Sequence, residues 1–99
     1  MRMERFKKIE QAVERCFKDN CIHAYDVTVH AFQVRYRVSR DGYYSEPYRR
    51  EQASRLKQCV EALRKELGTD GGFTVCMSPG DSYMSPYLVV YEMETGVWP

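Results

Sequence analysis

Between residues 32 and 68 the chain changes its hydrophobic period, and that change limits what it can fold into. Phe32, Val34, Tyr36 and Val38 alternate with Gln33, Arg35, Arg37 and Ser39. A strand here carries apolar side chains on one face and polar ones on the other. From Ala53 the spacing becomes three and four: Ala53, Leu56, Val60, Leu63 and Leu67 form one stripe along a helix. Leu63 is then expected in a core and Arg64 on the solvated back. A strand with one apolar face and a helix with one apolar stripe bury each other, which points to helix packed on sheet.

The link between the two is read as a hairpin. Asp41-Gly42 supplies the positive φ angles a tight turn needs. Tyr43, Tyr44 and Tyr48 suit a short return strand, with Pro47 ending its pairing. Ser45 is the nearest residue able to cap the helix, since Arg49 and Arg50 are poor caps. Gly68 reads as the residue just past the helix end, with Lys65 in the last turn.

Residues 3 to 18 form a second amphipathic helix through Phe6, Ile9, Val13, Cys16 and Phe17. Asp19-Asn20 breaks it, and Asn20 is expected to take the left-handed end position. Tyr25, Val27 and Val29 alternate in odd phase, whereas Phe32 to Val38 run even. His30-Ala31 is therefore either a turn between two strands or a bulge in one bent strand. His-Ala suits positive φ poorly, which favours the bulge. Phe73, Val75 and Met77 make a later strand, 78–82 a turn, and 87–91 its return. Leu88 and Val90 fill the second face of that last strand, so it is expected to be central. The whole chain, 1–99, reads as a single α+β domain of order α-β-β-α-β-β. Its antiparallel sheet of four to five strands has two helices packed on one face.

Ninety-nine residues suffice to bury about two thirds of the unfolded surface. No apolar run is long enough to span a membrane, and MRMERFKKIEQ is too charged for a secretory signal. The expectation is a cytoplasmic protein with no membrane partner. The four cysteines, Cys16, Cys21, Cys59 and Cys76, match no zinc ribbon or finger spacing and are expected to be free thiols. Cys16, Cys21 and His23 are the alternative, a metal corner closed by Cys59 or Cys76. No cofactor or metal is expected, and no constellation of nucleophile, base and orienting group marks an enzyme.

Two binding surfaces remain. The net charge is +1, yet all 15 Lys and Arg lie at or before Lys65. Glu66, Asp70, Asp81, Glu92 and Glu94 make the final third acidic. Gln33, Arg35 and Arg37, with Arg40 nearby, form a strand face able to contact phosphates or a groove. Here VRYRVSRDGYYSEPY followed by EQASRL, about a quarter of the chain, is similar to the arm-type DNA-binding modules of phage integrases. That resemblance implies a DNA-binding accessory protein. The other surface is rich in tyrosine, of which there are eight, a residue enriched at protein interfaces. It is expected to use Tyr43, Tyr44 and Tyr83 with Asp70, Asp81, Glu92 and Glu94. In size and architecture the chain resembles the small inhibitors of phages and mobile elements, including anti-CRISPR proteins. This resemblance implies a monomer or homodimer in the host cytoplasm that docks on a host protein or nucleoprotein complex, by steric block or nucleic-acid mimicry. The inhibitor is the first reading and DNA binding the alternative.

Overall fold

A computed structural model describes residues 3–38, 45–68, 72–81 and 84–92. Helix α1 (Met3–Asp19) buries Ile9, Ala12, Val13 and Phe17, the stripe that the spacing predicts. Its end is closed by main-chain bonds from the Ile22 N–H to the Phe17 carbonyl (2.8 Å) and from the Cys21 N–H to the Lys18 carbonyl (3.3 Å). That pair defines a Schellman end, and it requires a left-handed residue between. Cys21 takes that role at φ 56°, not Asn20. The Asn20 side chain is committed instead to the Cys16 carbonyl at 2.8 Å, so the reversal falls one residue later.

Strands β1 (Asp26–Val29) and β2 (Gln33–Arg37) form an antiparallel hairpin with Val29 opposite Val34. The His30 N–H donates to the Gln33 carbonyl at 2.8 Å. Of the two alternatives at His30-Ala31, the turn is therefore the one formed, not the favoured bulge. It is built without positive φ, since Cys21 is the one non-glycine residue with positive φ among those described. Phe32 sits in this turn, not in the strand, and is 55% exposed. Two residues do oppose one at the far end: Asp26 pairs with Arg37, and the Tyr25 N–H also reaches the Arg37 carbonyl.

Helix α2 (Glu46–Leu63) begins at Ser45, whose hydroxyl accepts from the Tyr48 N–H at 3.4 Å. Pro47 stands in the first turn, where its missing N–H costs nothing. Tyr48 is thus helical, not part of a return strand, while the expected turn at 41–42 and Tyr43 and Tyr44 lie outside the described residues. The reason lies in the sheet. Strand β2 is already paired on both sides, with β1 and with β4, so no edge is left for a return strand.

The α2 stripe buries Leu56, Val60 and Leu63, together with Cys59; Ala53 is half-buried. A π-helical turn (Arg64–Gly68) follows and keeps Leu67 fully buried. Gly68 closes this segment without positive φ, which appears at Gly72 instead. Arg64 is exposed, as expected of the solvated back, and its Nε also donates to the Val75 carbonyl at 2.9 Å.

Strands β3 (Phe73–Ser78) and β4 (Tyr87–Glu92) complete a four-stranded antiparallel sheet ordered β1-β2-β4-β3. The connecting turn needs Gly80 at φ 75°, where a Cβ would come 2.5 Å from the Met84 carbonyl oxygen. Strand β4 is central, as Leu88 and Val90 imply, and Leu88, Val89 and Val90 are all buried. The protein is therefore α+β with two helices. The letters α-β-β-α-β-β describe it, but the first two strands are β1 and β2, not β2 and a return strand. Ile9, Val13 and Phe17 meet Leu56, Leu63, Val34, Leu88 and Val90 in one core between helices and sheet.

Candidate binding surface on the uncovered sheet face

The pairing register fixes what the other sheet face displays. Residues directly opposite in an antiparallel ladder share a face. Arg35 stands between Thr28 and Val89, and Val89 stands beside Cys76. Arg37 stands between Asp26 and Tyr87, with Ser78 beyond. Gln33 stands beside Tyr91, which faces Thr74. No described helix packs on this side, because both helices bury their single stripe in the core.

The strand periodicity thus brings Gln33, Arg35 and Arg37 together with Tyr87 and Tyr91 on adjacent central strands. The Arg35 guanidinium lies over the Tyr87 ring, 5.7 Å from its centroid, within cation–π range. Val89 sits at the centre of the face and is still buried, shielded by the long side chains around it. Burial, followed by contact with Cys76, raises the Tyr91 phenol pKa, so it stays protonated and able to donate. Tyr87 and Tyr91 were not singled out from the sequence. The signal was present in their odd phase along β4, opposite to Leu88 and Val90, but it has meaning only once β2 and β4 are known to pair.

The acidic and tyrosine set does not assemble among the described residues. Glu92 turns to the helix side, 3.1 Å from the Arg5 guanidinium, with a side chain only 12% exposed. Asp81 serves its own turn, accepting from the Met84 N–H at 2.8 Å. Tyr43, Tyr44, Tyr83, Asp70 and Glu94 lie outside the described residues, as does Arg40.

Two of the thiols, Cys16 and Cys59, are poor nucleophiles. Burial pushes Cys59 up to about 11 and raises Cys16, which Glu66 raises further; both stay protonated at neutral pH. All four cysteines are free. Among the described residues no three His, Cys, Asp or Glu form a group able to hold a metal ion, the Cys16, Cys21, His23 corner included. No described helix is long and apolar enough to cross a membrane.

Open grooves flank the described residues. One, of about 530 Å³, runs beside α2 past Lys57, Arg64 and Pro79. Another, of about 400 Å³, lies between α1 and β1 with Tyr36 in its lining. The Tyr36 hydroxyl is buried there with no hydrogen-bond partner among the described residues. Comparison with known proteins finds no matching family, no similar curated protein and no similar solved structure.

Proposed function

We propose that this is a non-enzymatic binding protein that holds single-stranded nucleic acid on the uncovered face of its sheet. One observation carries the reading: the β2–β4 register sets Gln33, Arg35 and Arg37 beside Tyr91, Val89 and Tyr87. Aromatic rings on central strands offer stacking surface to unpaired bases, and neighbouring arginines meet the backbone phosphates. Duplex DNA fits less well, because a net charge of +1 gives little general attraction to a dense phosphate array.

The test is titration of labelled single-stranded and duplex oligonucleotides at low and moderate salt. Single strands should bind at least tenfold more tightly than duplex. Tyr91→Ala should lose about 1–3 kcal/mol, the range for one base stack. Joint replacement of Arg35 and Arg37 by Ala should weaken binding and flatten its salt dependence. Absence of saturable binding at low salt would end this reading.

A second reading keeps the same face but gives it a protein. It is a small inhibitor of the anti-CRISPR kind, blocking a host protein or nucleoprotein complex by steric occlusion. The final third, with no Lys or Arg after Lys65, favours it, and Tyr and Arg are also common interface anchors. A pull-down that survives nuclease treatment and is lost on Tyr87→Ala and Arg35→Ala would support the inhibitor instead.

A further inference from the structure

The sheet has two edges, and they are finished differently. At the β3 edge, Arg64 caps the Val75 carbonyl. At the other edge β1 is outermost, and it carries Val27 at 45% and Val29 at 52% exposure. Both lie on the helix side, opposite Tyr36 and Val34, with Val27 at the rim of the groove beside α1. Among the described residues no strand pairs with this edge, and an exposed apolar edge invites another strand.

The backbone says which groups are on offer. The His30 N–H points inward, to the Gln33 carbonyl. By alternation the main-chain groups of Thr28 and Asp26 also face β2, and those of Val27 and Val29 face outward. Any added strand must bond to Val27 and Val29.

The sequence of the edge says which strand. Asp26-Val27-Thr28-Val29-His30 is its own complement when read backwards. We propose that β1 pairs antiparallel with β1 of a second copy, about a two-fold axis through Thr28. Val27 then exchanges both main-chain hydrogen bonds with the partner's Val29, and Val29 does so with the partner's Val27. The Val side chains meet on the helix side. On the other face Thr28 meets the partner's Thr28, a favourable cross-strand pair. Asp26 meets the partner's His30 on either side of the axis, and an imidazole N–H donates to the carboxylate whether the ring is neutral or charged.

Other registers lose this match. A shift of one residue sets outward groups against inward ones and forms no ladder. A shift of two sets Asp26 or His30 against Thr28, and the charge-complementary pairs are gone. Pairing of this kind also continues the sheet, so the Arg35 and Arg37 faces of both copies lie on one side. It does not depend on what that face binds.

The test uses the full chain. Sedimentation equilibrium from about 1 to about 500 µM should show the mass rising from 11.7 kDa towards twice that value, as mass action requires. Val27→Lys should weaken the dimer by roughly tenfold or more, since an edge lysine opposes pairing. Register is read by cross-linking in a Cys21→Ser background, which removes the exposed thiol. Thr28→Cys should give a covalent dimer on mild oxidation, because non-hydrogen-bonded partners stand about 4.5 Å apart. Asp26→Cys should not, being displaced from its own copy by the register. A wild-type chain that stays monomeric throughout overturns the proposal, as does a dimer unaffected by Val27→Lys. Equal cross-linking of the two cysteine variants overturns the register. Should Thr28→Cys fail to fold, the wild-type series and Val27→Lys still decide the proposal.

Discussion

The two faces of one strand carry different burdens. On β2 and just past its end, Val34, Tyr36 and Val38 are at most 4% exposed, while Gln33, Arg35 and Arg37, interleaved with them, are only half-buried. The helix side concentrates the apolar burial and so most of the stability. The other side is relieved of that duty and is free to hold charge and tyrosine. Under the proposed binding, stability and recognition are divided between alternate residues of the same few strands, and substitutions can separate them.

The sharpest break is Leu63→Ala, on the helix side. Leu63 is fully buried, so the change should cost about 2–5 kcal/mol in a denaturant titration. Alkali acts on the same side. Burial holds the Cys59 thiol at about 11 against an ordinary 9.0. The folded chain therefore keeps a proton that the unfolded chain loses, and the contribution of this group to stability is full below pH 9 and is lost as pH rises through 11. Cys59→Ser should flatten that part of the pH profile. Arg64→Ala should cost about 1 kcal/mol, because it frees the Val75 carbonyl at the β3 edge; a silent change would mean that the contact contributes nothing. Tyr36→Phe removes a buried hydroxyl with no partner among the described residues, so thermal melts should shift little and upward, by less than about 1 kcal/mol. Smallest of all, joint Arg35→Ala and Arg37→Ala should stay within about 0.5 kcal/mol in stability, although they sit between fully buried neighbours.

Much of this division was legible in the sequence. The alternation of Val34, Tyr36 and Val38 against Gln33, Arg35 and Arg37 assigns the faces of β2 without any structure. The spacing of Leu56, Val60 and Leu63 likewise assigns the face of α2. What local pattern does not carry is pairing. Asp41-Gly42 is good hairpin chemistry, yet β2 finds its second partner in β4, with Arg37 opposite Tyr87 and Gln33 opposite Tyr91, far along the chain. That long-range choice turned the expected return strand at Tyr48 into the first turn of α2. His30-Ala31 differs for the opposite reason: lack of the usual positive-φ residues favours a bulge over a two-strand turn, yet the chain turns there without them. The candidate face depends on pairing in the same way. Its arginines were found from β2 alone, whereas Tyr87 and Tyr91 join them only through the β2–β4 register. Glu92 looked available in the sequence because its partner, Arg5, lies at the other end of the chain.

The central claim is that the uncovered face, and not the helix side, is where this protein works. Amide chemical shifts, followed by NMR during titration with a short single-stranded oligonucleotide, test it residue by residue. The changes should cluster on Gln33, Arg35, Arg37, Thr74, Cys76, Tyr87 and Tyr91, leaving the solvent sides of α1 and α2 unmoved. Shifts confined to the helices, or to the basic groove beside Lys57 and Arg64, would contradict it.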